Sequence, residues 1–175
     1  MTDYQRKLRV GVIGLGVGEK HVESYLSDDR CELKIVCDLE RIKTDEILSR
    51  YPQINITQDP EDILTAKDID IVSIASYDNY HSEQVVKALS NNKHVFVEKP
   101  ICLSSNELKN IVNASNKNPE LKLSSNLILR KSPRFIRLRE LIKNDDFGKL
   151  YYIEGDYNYG RLHKITEGWR GEIPY

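Results

Sequence analysis

The chain predicts a doubly wound parallel α/β sheet, and three observations carry that prediction. Strand-like runs of four to seven residues alternate with helix-forming segments as far as residue 125. The first run, Leu8 to Ile13, leads directly into three glycines in five residues, Gly14, Gly16 and Gly18, and then into a helix. The next run ends on an acid, Asp38, 20 residues after Gly18. Alternation of strands and helices forces parallel pairing with helices on both faces. A glycine turn between a buried strand and a helix, followed at this distance by an acid, is the pattern of a dinucleotide-binding βα unit.

Each element has its own justification. The turn demands backbone angles that a Cβ penalises, and Gly14, Gly16, Val17 and Gly18 bring backbone close to a ligand's phosphates. The helix beginning near Glu19 turns free N–H groups and its positive dipole end toward them. Glu32 to Cys37 reads as the second strand, and Arg41 to Arg50 as a helix halted before Pro52. Ile54 to Thr57 is a short third strand. Asp59-Pro60-Glu61-Asp62 then supplies a capping carboxylate, proline at the first helical position and acids facing the dipole. Ile69 to Ala75 has the continuous apolar character of a strand buried on both faces. Tyr80 to Leu89 is helical and His94 to Val97 is a fifth strand. Ser104 to Glu107 matches a capping box for a helix reaching about Lys117, and Leu121 to Ser125 is a sixth strand.

Beyond residue 125 the pattern changes. Ser132 to Lys143 predicts a basic helix with Pro133 near its first turn, whose Phe135, Ile136, Leu138, Leu141 and Ile142 form a buried stripe. Leu150 to Tyr159 predicts a tyrosine-rich strand, and Gly160 to Tyr175 an irregular segment holding Trp169, Arg170 and Pro174. A lone helix and strand cannot close a core. The expectation is a dinucleotide-binding domain over 1–125 and the incomplete opening of a second α/β domain over 126–175.

Composition excludes several functions. Basic residues number 26 and acidic ones 27, a formal net charge of −1, so no one-signed field draws nucleic acid or an anionic membrane. The polar start MTDYQRK lacks the apolar core of a secretory signal, and no apolar run approaches membrane-spanning length. Cys31, Cys37 and Cys102 are an odd count without CxxC spacing, which fits a reduced, cytoplasmic setting and no metal site.

Two side-chain constellations carry the chemistry. Asp38, at the end of the second strand, stands where a carboxylate accepts hydrogen bonds from ribose hydroxyls and repels a 2′-phosphate, which favours NAD over NADP. The alternative is a turn aspartate that caps the following helix. Arg41 keeps NADP open, because an arginine there accommodates the extra phosphate. Glu98-Lys99-Pro100 follows the fifth strand, on the side of the sheet where ligands bind. Lys99 can donate a proton or a hydrogen bond to a substrate oxygen, or it is a surface lysine in a turn.

With GLGVGEKH, CD at the second strand end, VFVEKP and NLILRKSPRF in view, the chain resembles the Gfo/Idh/MocA oxidoreductase family over essentially its whole length. The resemblance implies a Rossmann domain followed by an α/β domain on a large open sheet. It also implies hydride transfer between NAD(P) and the hydroxyl of a sugar, polyol or sugar nucleotide, in a homo-oligomeric full-length protein. It places Gly14, Gly16, Val17, Gly18, Asp38, Ser76, His81, Glu98, Lys99 and Asn126 at the cofactor. Lys99 becomes the catalytic residue, joined to Pro100 by a cis peptide, and Arg130 falls near the nicotinamide.

Two departures from the family pattern carry expectations. The third glycine arrives one residue early, so Glu19 stands near its place and is expected to face away from the phosphates. The acid/base Asp and His of the family's second domain have no convincing counterpart before Tyr175, so this stretch is expected to be inactive alone. A non-catalytic nucleotide-binding or assembly module is the alternative.

Overall fold

The structure, a computed structural model, describes residues 6–158, 160 and 163–167. The chain divides into two compact units, residues 1–128 and 129–175.

The first unit is built on six parallel strands: β1 (Leu8–Ile13), β2 (Cys31–Cys37), β3 (Asn55–Thr57), β4 (Ile71–Ile74), β5 (His94–Val97) and β6 (Leu123–Ser125). Their order is β3-β2-β1-β4-β5-β6. The sheet grows outward from β1 in one direction and then returns to grow from β4 in the other. Its two edges are its shortest strands, three residues each, which limits the unpaired backbone they expose.

Helices cover both faces. Val10, Val12, Leu33 and Val36 pack with Val22 of α1 (Gly18–Ser27) and Ile47 of α2 (Arg41–Arg50). Val72, Ile74, Val95 and Val97 pack with Ile63 and Leu64 of α3 (Glu61–Leu64), Val85 and Leu89 of α4 (His81–Ser90), and Ile111 of α5 (Ser105–Lys117). Each fully buried side chain of this size contributes about 1.5–3 kcal/mol. Local signals set the helix starts. Asp59 Oδ1 accepts from Glu61 N at 2.9 Å ahead of α3. At α5, Ser104 Oγ accepts from Glu107 N at 3.2 Å while Glu107 Oε2 accepts from Leu103 N at 2.7 Å.

The amino ends of the strands carry a closed polar cluster. Asp70 accepts from Arg9 N at 2.8 Å and from the guanidinium groups of Arg9 and Arg6 at 3.1 Å. Lys93 is 2% exposed, and its ammonium donates to Ala66 O and, at 3.2 Å, to Ile69 O. Burial lowers its pKa, and the two carbonyls satisfy the donors that burial would otherwise orphan.

The second unit contains α6 (Pro133–Lys143) and α7 (His163–Thr166) among its described residues. Two expectations need correction there. No residue of α6 is buried: Phe135, Leu138 and Ile142 are exposed, so the apolar stripe exists on the helix without being covered. Residues 150–158 form no strand, and Tyr151, Tyr152 and Tyr157 are largely exposed. A strand exists only where a neighbour takes its backbone bonds, and the described residues of this unit offer none. Tyr159, Trp169, Arg170 and Pro174 lie outside the described residues.

Candidate functional site

The direction of sheet growth reverses between β1 and β4, so the loops leaving their carboxyl ends diverge and leave a crevice. A cleft of about 230 Å³ opens there, walled by Gly14 and Gly16, by Asp38 after β2, and by Ser76, Tyr77 and Tyr80 after β4.

The turn is made possible by its glycines. Gly14 has φ of +87°, and a Cβ on it would stand 2.3 Å from Ala75 O. No other residue fits that position. A Cβ on Gly16 would meet nothing within 4 Å, so bare backbone faces the cleft. Gly18 also serves packing: a Cβ there would come within 3.1 Å of Ala75 Cβ and 3.3 Å of Val12 Cγ1, so its absence lets α1 lie close on the sheet. Val17, the exposed residue before α1, makes no side-chain cap; Lys20 N donates to Val17 O at 3.0 Å, so it is the N–H groups of Gly18 and Glu19, ahead of it, that an anion could use. Glu19, the acid of that first turn, pairs with Arg50 of α2, Oε1 to Nη2 at 2.7 Å. Its carboxylate points away from the turn, as the one-residue shortening leads one to expect.

Asp38 is 8% exposed and ties the two halves of the turn region together. Its Oδ2 accepts from Leu15 N at 2.7 Å inside the glycine turn, and its Oδ1 accepts from Glu40 N at 2.9 Å, just before α2. It thus serves the helix entry and the glycine turn at once. The cation beside it is Lys43, 3.9 Å from Asp38 Oδ1 and 2.6 Å from Glu40 Oε1. Burial opposes the Lys43 charge, but Glu40 and Asp38 outweigh it and raise its pKa. Arg41 lies on the exposed side of α2 against Asp45. Cys37 also lines the cleft; burial, with Asp38 nearby, pushes its thiol up to about 12, so it stays protonated and unreactive.

Ser76 donates its hydroxyl to Gln84 Oε1 at 2.6 Å, which turns the loop after β4 toward α4. His81 is fully buried, with Nδ1 2.6 Å from Pro100 O and Nε2 3.0 Å from Ser76 O. Glu98, 8% exposed, is the hub at the end of β5. Its Oε1 faces His21 Nε2 at 3.0 Å and accepts from Asn126 Nδ2 at 2.7 Å, and its Oε2 accepts from Lys99 N at 3.3 Å. Lys99 is exposed, and its bond to Pro100 is cis.

Gly14, Gly16, Asp38 and Ser76 therefore share one cleft. Val17 and Gly18 continue from its turn. His81, Glu98, Lys99 and Asn126 form a neighbouring cluster at the ends of β4, β5 and β6, outside the cleft's lining, and Arg130 belongs to the second unit. Sequence reasoning missed Lys43, Tyr77, Tyr80, Gln84 and Ser73. Ser73 left a signal, a hydroxyl inside the apolar run IDIVSIA; it is fully buried and lies 2.9 Å from His21 Nδ1. Among the described residues, no three metal-ligating side chains gather, and no helix is long and apolar enough to cross a membrane.

The glycine turn fits a pyrophosphate on the structure's own terms, with open backbone at Gly16 and no side-chain cap at α1, while the carboxylate held at the neighbouring strand end suits hydroxyl donors. Residues 8–126 match the oxidoreductase family described as having an NAD-binding Rossmann fold. The chain is 24% identical over 151 residues to an inositol 2-dehydrogenase of Salmonella paratyphi B, covering 85% of this chain and 45% of that protein. It is 29% identical over 147 residues to a myo-inositol 2-dehydrogenase of Thermotoga maritima, covering 83% and 44%. The fold is similar to that of scyllo-inositol dehydrogenase from Lactobacillus casei, solved with NAD(H) and scyllo-inositol, with a TM-score of 0.76, 23% identity and coverage of 82% and 43%. The chain thus spans less than half the length of the curated relatives it matches.

Proposed function

The chain belongs to the Gfo/Idh/MocA oxidoreductase family, and on that premise we propose that its first unit binds NAD and that the whole protein transfers a hydride between NAD and a hydroxyl of a sugar-like or inositol-like polyol. The observation that carries the reading is the cleft formed by Gly14, Gly16 and Asp38 at the reversal of the sheet. Gly14, Gly16, Val17 and Gly18 would hold the pyrophosphate, with the first turn of α1 supplying N–H donors. Asp38 would take the ribose hydroxyls with the lone pairs that Leu15 and Glu40 leave free. Lys43 beside it blunts the repulsion of a 2′-phosphate, so NADP binds more weakly than NAD without being excluded.

When bound, the nicotinamide supplies the hydride acceptor. Lys99 would receive or donate the proton of the reacting hydroxyl. Glu98 and Asn126 would hold the Lys99 turn and the end of β6 in place. Support for a polyol substrate comes from the inositol dehydrogenases among the relatives.

Calorimetric titration of this chain with NAD and NADP tests the binding half. NAD should bind, NADP should bind less tightly, and Asp38→Ala should weaken NAD. The catalytic half needs the whole protein, assayed at the reduced-nicotinamide absorbance with inositols, sugars and sugar nucleotides. Binding without turnover on that panel leaves a nucleotide-binding module; no binding overturns the reading.

A further inference from the structure

Lys99 stands between two residues that buried histidines hold. His21, in α1, places Nε2 3.0 Å from Glu98 Oε1, while its Nδ1 is 2.9 Å from Ser73 Oγ on β4. His81, opening α4, places Nδ1 2.6 Å from Pro100 O, while its Nε2 is 3.0 Å from Ser76 O, just after β4. Both rings therefore anchor on β4 or its loop through one nitrogen and reach across to the turn after β5 through the other. They touch that turn on opposite sides of Lys99.

We infer that His21 and His81 are positioning residues that jointly fix the Glu98-Lys99-Pro100 turn, each through one specified ring nitrogen. The functional meaning rests on the reading that Lys99 works at the cofactor; the placement itself belongs to the fold without cofactor.

Several observations support it. Lys99 is exposed and carries a long flexible stem, so its ammonium is placed only as well as its backbone is. That backbone is secured through its neighbours, since Lys99 N donates to Glu98 Oε2 and Pro100 O faces His81. The His21 ring cannot turn freely, because Phe96 of β5 meets it edge-on with centroids 5.3 Å apart. Its bonding is self-consistent: Nε2–H donates to the Glu98 carboxylate, and Nδ1 accepts from the Ser73 hydroxyl. At His81 both partners are carbonyl oxygens, which only accept, and a neutral imidazole carries one N–H, so one contact is a donated hydrogen bond and the other a close packing contact; the shorter, 2.6 Å to Pro100 O, is the one that reaches the turn. Such buried imidazoles lock a loop position that an exposed lysine cannot lock for itself.

The geometry yields a crossed test. An asparagine amide sits where Nδ1 of histidine sits, and a glutamine amide where Nε2 sits. His21→Gln therefore keeps the arm to Glu98, and His21→Asn keeps only the arm to Ser73. The order reverses at the other site, where His81→Asn keeps the arm to Pro100 and His81→Gln keeps only that to Ser76. Lysines of the chain are reductively methylated with ¹³C without cofactor, and the Lys99 signal is assigned by its loss in Lys99→Arg. The expected result is that this signal shifts in His21→Asn and His81→Gln and stays in place in His21→Gln and His81→Asn. A signal unmoved in all four variants overturns the inference, as does one that shifts in the same order at both sites in step with thermal stability. If a histidine variant does not fold, Glu98→Gln and Ser73→Ala take over. Glu98→Gln should shift the signal, because an amide N–H then opposes Lys99 N; Ser73→Ala should not, and the reverse overturns the inference. Because the signal is read without cofactor, failure of the cofactor reading and failure of this one are separate results.

Discussion

At the amino ends of the central strands, Arg6 and Arg9 close on Asp70, and Lys93 is folded onto the carbonyls of Ala66 and Ile69. At the carboxyl ends, Asp38, Glu98, His21 and His81 are buried, as Lys93 is, and their partners include the loop groups Leu15 N, Lys99 N, Pro100 O and Ser76 O. Both ends spend hydrogen bonds on groups that burial would otherwise make costly. The difference lies in what is held. The amino end ties the loop that enters β4 to Arg9 of β1 and to Lys93 just ahead of β5, whereas the carboxyl end props loops around a cleft and a bare stretch of backbone. A buried polar group thus points to function when its partner is a loop that something else can approach.

Substitutions at the two ends should separate stability from binding. The largest effect belongs to Gly14→Val, where positive φ and the contact with Ala75 O combine. We expect a loss of about 3 kcal/mol or more in urea unfolding, and no NAD binding at concentrations that saturate the native chain. Retained binding would remove the turn from the site. Next comes Asp70→Asn at the opposite end, which should lower stability by about 1–2 kcal/mol, discounted for partial exposure, while leaving NAD affinity unchanged. The pH course sharpens this. Burial pushes the Asp70 carboxyl up, but the hydrogen bonds from Arg9 and Arg6 outweigh burial and hold it below the usual carboxylate range. A depressed folded value gives stability that is present above the unfolded value of about 3.9 and lost as pH falls through the folded one. The native chain should therefore lose stability below about pH 4, and Asp70→Asn should lose less over that window. Asp38→Ala is expected to weaken NAD about tenfold and to cost about 1 kcal/mol through the Leu15 bond, so like Gly14→Val it registers on both scales, by less on each. Smallest is Glu19→Gln, which breaks an exposed pair with Arg50, leaves the urea midpoint essentially unmoved and leaves NAD titrations unaltered. Tighter NAD binding by that variant would mean that Glu19 faces the phosphates after all.

Much of the first unit was legible in the sequence. Strand and helix periods, Pro60 after Asp59 and the Ser104–Glu107 box are local signals, and local signals survive into the fold. Asp38 and Glu98-Lys99-Pro100 were legible because they sit at strand ends, where the topology itself aims side chains at the ligand side. What His81 does was not legible. The segment points to the cofactor, while the ring turns inward to two carbonyls that lie 5 and 19 residues away in sequence. Lys43 was missed in favour of Arg41 because a helix decides by its rotation which of two nearby cations faces the cleft, and two residues along a helix are far apart around its axis. The tyrosine-rich segment 150–158 failed for a different reason. Strand propensity describes a side chain's fit to a pleated surface, and the described residues of its unit supply no such surface.

The Asp38–Leu15 bond bears on redesign. Replacing the acid after the second strand is the obvious way to convert such a site from NAD toward NADP. Here the carboxylate that would repel the extra phosphate is also the peg on which the glycine turn hangs. A neutral, smaller residue at position 38 would relax selectivity and loosen the turn together, so both cofactors would suffer. A workable switch would keep an acceptor within reach of Leu15 N, as Asp38→Asn does through its amide oxygen, and would strengthen the positive charge at Lys43. On the proposed reading, cofactor preference would be a property of a hydrogen-bonded pair of loops, to be changed as a pair.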